Sequence, residues 1–189
     1  MKKLCAGLLM GMAAMSVIAK SESLIDDTDS WKMYTRPELS LTDIGGHSAT
    51  LASLSVGWML NDKLSLGPSG TATIRDVYDA SKGDIQAFDL WYAGLRAEYT
   101  VQSWKLVHAS ASLFVGGGDV SITSGGSRDG KTGLAVVEPG ANVSINAWDW
   151  VEIGVGISYR FTDSLHAGGY GRKDLEDWNF GVFARFSEF

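Results

Sequence analysis

Residues 150–161 constrain the fold most. They place Val151, Ile153, Val155, Ile157, Tyr159 and Phe161 at one set of alternate positions, and Glu152, Gly154, Gly156, Ser158 and Arg160 at the other. A period of two held this long is a β-strand with one face in an apolar medium. The opposite face is small or charged, which suits a narrow polar interior rather than a second apolar core. The run also matches the roughly 9–11 residues that a tilted strand needs to cross a membrane. The segment from Leu134 completes a hairpin with it, and the same unit recurs along the chain.

Taken in order, eight strands are predicted. The first covers 31–44, with Trp31, Met33, Pro37, Leu39 and Leu41 outward and Lys32, Tyr34, Arg36, Glu38, Ser40 and Thr42 inward. The second, over 48–60, turns Leu54, Val56, Trp58 and Leu60 outward. The third, over 64–75, puts Ser65, Gly67, Ser69, Thr71, Thr73 and Arg75 inward. In the fourth, Trp91, Ala93, Leu95, Ala97, Tyr99 and Val101 face out and Gly94, Arg96 and Glu98 face in. The fifth runs from Val107 and reads as ending at Gly116–Gly118. The sixth points Glu138, Gly140, Asn142 and Ser144 inward, the seventh is the 150–161 run, and the eighth exposes Trp178, Phe180, Val182 and Phe186. Tight turns are expected at 61–63, 102–103 and 146–149, and longer loops at 76–86, 119–132 and 162–176. Apart from a short turn at Gly45–Gly46, this alternation of short and long connections is that of a membrane barrel. Pro37, Pro68 and Pro139 fall within strands, where each removes a ladder donor, so bulges are expected there.

The first residues carry Lys2 and Lys3, then an apolar run from Leu4 to Ile18, then Ala19. This reads as a secretory signal peptide over 1–19, followed by a polar leader over 20–30 and a barrel domain over 31–189. Cleavage after Ala19 would take Lys plus Arg from 16 to 14 against 22 acids, and net charge from −6 to −8. It would also remove Cys5, the only cysteine, leaving no thiol chemistry. An acidic exported chain is a poor match for nucleic acid.

A soluble barrel or sandwich would bury the apolar face and cover its outside with Lys, Glu and Gln. Here the polar face is dominated by Gly, Ser and Thr with isolated charges. Tryptophans and tyrosines cluster at strand ends, as interfacial girdles require. The sequence thus predicts an all-β fold, an eight-stranded antiparallel transmembrane β-barrel with up-and-down meander topology.

The apolar start, the eight alternating segments and the terminal Phe189 resemble the small eight-stranded outer-membrane β-barrels. The central stretch, Val137 to Asn142 (VEPGAN), Asn146 to Trp148 and Gly154 to Arg160, is similar to uncharacterised members of that class. One departure stands out: alternate positions counted back from Phe189 are usually apolar in the class, and here they are Ser187, Arg185, Phe183 and Gly181. The resemblance implies the outer membrane of a Gram-negative-type bacterium, contact with outer-membrane lipid and lipopolysaccharide, insertion by the barrel-assembly machinery, and a monomer.

The candidate functional residues are the inward charges Arg36, Glu38, Arg75, Arg96, Glu98, Glu138, Glu152, Arg160 and Arg185. An unpaired buried charge is costly, so near balance in a narrow lumen predicts mutual ion pairs. Two readings follow: a salt-bridged plug, or a small selective pore lined by the same groups. Removing Glu138 is expected to leave an arginine unpaired. Other constellations carry less. Gly125 to Thr132 matches the phosphate-loop spacing, but a strand follows where a helix is needed. His108 and Ser110 share a face without an acid to complete a triad. His47 with His166 lack a third metal ligand, and Asp76, Asp79 and Asp84 read as a solvated loop. No catalytic, metal or cofactor site is assigned. Tyr78, Arg128, Tyr170 and Arg172 are loop residues available for surface contacts. The expected role is structural or surface-interacting, with a small-solute pore and a lipid A-modifying enzyme as alternatives.

Overall fold

The computed structural model describes residues 30–44, 47–74, 77–79, 86–124, 127–163 and 175–187. The expected signal peptide and nearly all of the leader lie outside these residues, as do Arg75 and His166. Ten strand segments run β1 (Trp31–Ile44), β2 (His47–Leu60), β3 (Leu64–Thr73), β4 (Val77–Asp79), β5 (Gln86–Val101), β6 (Val107–Ser124), β7 (Ser127–Trp148), β8 (Val151–Tyr159), β9 (Phe161–Thr162) and β10 (Trp178–Ser187). Because β3 and β4 both border β5, and β8 and β9 both border β7, the ten segments make eight staves. Every pairing is antiparallel, and β1–β10 and β3–β5 close the sheet into a barrel.

The alternation decides which way each side chain points. Met33, Leu39, Leu54, Leu66, Leu95, Val115, Val143, Val155, Phe180 and Val182 stand exposed around the outside. Contiguous apolar surface of this extent does not suit water, but it is what a strand wall presents to hydrocarbon. Trp31, Trp58, Trp104, Trp148 and Trp150 gather near the short-turn end, and Trp91, Phe161 and Trp178 near the long-loop end. Tyr159 packs edge-on to Trp178 with ring centroids 5.1 Å apart. These are the two expected girdles.

The short-turn end follows its sequence closely. Asn61 and Asp62 take φ of 50° and 56°, and Lys63 N–H donates to Leu60 O at 2.9 Å. Two consecutive left-handed residues make a type I′ hairpin turn, which Asn and Asp tolerate best among residues with a side chain. Leu60, expected outward, is instead buried beside this turn.

Two expectations are corrected. The prolines make no bulges: the β1–β10, β2–β3 and β7–β8/β9 registers run unchanged past Pro37, Pro68 and Pro139. Each proline is one of two unpaired residues forming a gap in one of its ladders, while the ladder on its other side continues through it. The lost donor is thus absorbed as missing rungs, without an inserted residue. The register shifts instead lie at Ser121/Thr123 and Asn146/Trp148. The second correction is that Gly116–Gly118 do not end a strand. Strand β6 continues to Ser124 and pairs with β7 from Ser127, so most of the expected 119–132 loop is a hairpin. The glycines make space: a Cβ on Gly116 would lie 2.6 Å from the Phe114 ring, and one on Gly118 2.7 Å from Tyr92 Cβ. Likewise the expected 76–86 loop contains β4, which pairs Val77 with Phe88 and Asp79 with Gln86.

Candidate functional site: a two-part lumen

The inward face of every stave meets in one narrow lumen, and its two halves differ in chemistry. Nearer the short-turn end, Glu98 on β5 is the hub of an ion-pair network. Its Oε2 lies 3.0 Å from Arg36 Nη1, and its Oε1 accepts from Arg185 Nη2 and, at 2.8 Å, from Ser110 Oγ. Arg36 Nη2 is 3.0 Å from Glu38 Oε2, which Arg96 Nη1 approaches at 3.6 Å. Arg185 Nη1 pairs with Glu152 Oε2 at 3.0 Å. Asn142 links the layer by accepting from Arg36 at 3.3 Å and donating to Ser110 at 3.0 Å. The guanidinium of Arg36 also lies 3.7 Å from the Phe183 ring centre. That ring fits because residue 154 is glycine, where a Cβ would fall 2.4 Å from Phe183 Cζ.

Charges this deep require partners, since an isolated ion without water is strongly disfavoured. Arg36, Glu98 and Arg185 are each at most 2 % exposed, and each has at least two polar partners. Alternating signs along and across the staves let Arg36, Arg96 and Arg185 each meet a carboxylate. Six of the nine expected lumen charges, Arg36, Glu38, Arg96, Glu98, Glu152 and Arg185, are brought together in this way.

The other three stand apart. Arg75 lies outside the described residues. Glu138 accepts from Tyr92 OH at 3.0 Å and from Asn179 Nδ2; no ion pair joins it to an arginine among the described residues, contrary to expectation. Arg160 is fully buried, but its Nε donates to Leu175 O at 2.8 Å and its Nη2 to Thr42 Oγ1 at 3.2 Å. It therefore fastens the segment before β10 to the barrel wall instead of joining the ionic layer. Backbone bonding adds to this, as Arg160 N–H donates to Asp177 O at 2.9 Å.

Toward the long-loop end the lumen is apolar. Ile44, Ala49, Leu51, Leu90, Tyr92, Phe114, Val120, Leu134, Val136 and Leu175 form one buried cluster. The sequence reading, which saw a polar lumen throughout, missed this layer. The signal was present, because Ile44 continues the parity of Ser40 and Thr42, Leu51 that of Ser53 and Ser55, and Val136 that of Glu138. Between the halves, Glu38, Tyr92, Arg96, Glu138 and Asn179 line a cavity of about 20 Å³. A single water requires roughly 10–15 Å³ on this measure. At the short-turn end the lumen widens into an open vestibule of about 330 Å³, lined in part by Lys32, Asp62, Trp104, His108, Trp148 and Glu152.

The remaining sequence candidates are not assembled into sites. Ser110 donates to Glu98, while His108 Nε2 faces Glu152, so the two do not form a nucleophile–base pair. Residues 127–132 of the phosphate-loop-like stretch belong to strand β7. Among the described residues no group of three or more His, Cys, Asp or Glu side chains could hold a metal. The side chains of Tyr78, Arg128 and His47, and all of Asp76, Asp84, Tyr170 and Arg172, lie outside what the structure describes.

No protein-family model and no curated protein sequence matches the chain. Solved structures do. Neisserial surface protein A superposes with a TM-score of 0.62 at 16 % identity, over 85 % of this chain and 99 % of that one. The N-terminal β-barrel domain of Pseudomonas aeruginosa OprF gives 0.56 at 14 % identity, over 84 % and 100 % of the two chains. Ail of Yersinia pestis, solved in complex with the heparin analogue sucrose octasulfate, gives 0.53 at 14 % identity, over 85 % and 98 %. At such identities the likeness carries the fold, and the chain has that of the small eight-stranded outer-membrane β-barrels.

Proposed function

We propose that the protein is an outer-membrane barrel with a sealed lumen, serving as a structural or surface-interacting element without catalytic activity. In the topology of such barrels the short turns face the periplasm and the longer connections face outward. The vestibule then opens to the periplasm and the apolar cluster closes the outer side. One observation carries the reading: between vestibule and outer end, the lumen narrows to a cavity about one water in size. Ions would have to cross both a paired charge layer and a dry apolar layer, and an apolar constriction excludes ions by dewetting. Interaction then falls to the outer end, where the longer connections emerge.

The test is single-channel recording of the refolded protein in a planar bilayer, with a heat-shifted gel band as the control for folding. Silence is expected. Stable discrete openings would overturn the sealed reading and make Arg36, Glu38, Arg96 and Glu98 pore-lining groups.

A further inference from the structure

The apolar layer of the lumen is not built by the staves alone. Nine members of its buried cluster stand on β1, β2, β5, β6 and β7. The tenth, Leu175, is 4 % exposed and belongs to no strand, because it lies in the connection between β9 and β10. The staves on that side stop early. Strand β8 ends at Tyr159, β9 adds only Phe161–Thr162, and β10 begins at Trp178. No residue of these three strands joins the cluster, so Leu175 fills their side of the layer from a connecting segment.

Two neighbouring lumen residues hold this segment. Arg160 Nε donates to Leu175 O at 2.8 Å, and Arg160 N–H donates to Asp177 O at 2.9 Å. Thr162 N–H donates to Glu176 Oε1 at 3.3 Å. The guanidinium is braced in turn beyond β10, where its Nη2 donates to Thr42 Oγ1 on β1 at 3.2 Å. The stave members of the cluster are fixed differently. Leu51 and Val136 are each paired on both sides, so neither can leave without unzipping the sheet. Leu175, Glu176 and Asp177 lie outside every ladder, and segments with few backbone pairings open at the least cost.

We propose that Leu175 is a removable stopper for the outer lumen, and that Arg160 is the latch that seats it. The segment Leu175–Asp177 swings clear as a unit while the staves stay paired. Release bares the chamber beneath, lined in part by Glu38, Ser40, Tyr92, Arg96, Glu138 and Asn179, to the outer side. The ionic layer around Glu98 still closes the periplasmic side, so release alone gives access without conduction. The stopper rests on the sealed-lumen reading and adds which part of the seal can move.

The experiment is thiol labelling of the refolded full-length chain in a Cys5→Ser background, with Ser40→Cys as the reporter. Ser40 is 5 % exposed and lines the chamber between the ionic and apolar layers. The probe is a cationic methanethiosulfonate, and a heat-shifted gel band reports folding. Slow labelling is expected with the reporter alone. Arg160→Met should raise the rate at least about tenfold, the scale of losing one hydrogen bond from a charged donor. Leu175→Gly should raise it comparably, and it serves alone if the Arg160 variant lacks the heat-shifted band. Leu51→Ala thins the same layer from a fixed stave and should leave the rate near that of the reporter alone. Unchanged rates in both the Arg160 and Leu175 variants, or an equal rise in Leu51→Ala, would overturn the stopper while leaving the seal intact. Rapid labelling with the reporter alone would overturn the sealed lumen, and the stopper with it.

Discussion

The periplasmic and outer halves of the lumen are built on the same eight staves and closed by opposite means. In the inner half, Arg36, Glu98 and Arg185 sit in a layer where each guanidinium meets a carboxylate, while the Nε atoms of Arg36, Arg96 and Arg185 are buried without a hydrogen-bond partner. In the outer half, Leu51, Leu90, Val136 and Leu175 pack as they would in a soluble core. The ionic layer holds by mutual compensation, so deleting one member strands several others. The apolar layer holds by filled volume, so each deletion costs only its own cavity and lost contact. The two halves should therefore respond differently to the same kind of damage.

The largest effect is expected at the hub. Glu98→Gln keeps the shape but leaves Arg36 and Arg185 facing each other without a shared carboxylate. Breaking one partner of a buried ion pair costs roughly 3–5 kcal/mol, read as a lowered midpoint in urea unfolding from liposomes. Replacing Arg185 by Met in the same background should recover part of that loss, because the stranded charge goes too. Recordings of the single variant should stay silent, since the apolar layer still excludes ions. Conductance from Glu98→Gln alone would show that the ionic layer is the true seal.

Next comes the outer half. Leu51→Ala removes a side chain 1 % exposed and should cost about 2–5 kcal/mol, the range for buried aliphatic truncations. A second truncation at Val120 should add nearly independently if the two sites share no cavity, whereas the hub variants should not add. Strong non-additivity in the outer half would erase the contrast.

The glycine at the edge of the ionic layer gives a smaller effect. Gly154→Ala would press a methyl against Phe183 and displace the ring that Arg36 stacks on. Overpacking of this kind costs about 1–3 kcal/mol. A stability equal to the parent's would mean that Phe183 can move freely and that the stacking contributes little.

How much of this was legible depends on which face a residue occupies. Most strand positions, most of the outward apolar belt and the six lumen charges that pair follow from parity, although Leu60 and Val151 turn inward, and the Trp178–Ser187 strand appears where its alternation places it. The departure at Ser187, Arg185 and Phe183 is explained by the same parity, since Arg185 and Phe183 are lumen groups. What sequence missed needed the third dimension. Leu51, Leu90 and Val136 lie far apart in the chain, and only closure of the barrel shows that they meet. Glycine misled for a related reason. Three in a row at 116–118 look like a strand end, yet Gly116 makes room for the Phe114 ring of its own strand and Gly118 for Tyr92 on the neighbouring stave. Prolines misled because a lost donor can be absorbed as a gap in one ladder while the register stays fixed.

The smallest effect is expected at the boundary, and it tests where the two halves meet. Tyr92 belongs to both: its ring packs edge-on to Phe114 at 5.4 Å, and its hydroxyl donates to Glu138 at 3.0 Å. Tyr92→Phe keeps the ring in the apolar layer and removes one donor from a carboxylate still held by Asn179. A net cost of about 1 kcal/mol is expected, the typical worth of one intramolecular hydrogen bond. Glu138→Gln should then cost less than Glu98→Gln, because no described arginine loses a bonded partner. If Tyr92→Phe instead destabilises as much as the hub variant, Glu138 is part of the ionic layer. The division of the lumen would then lie one residue layer further out, at Leu90 and Val136.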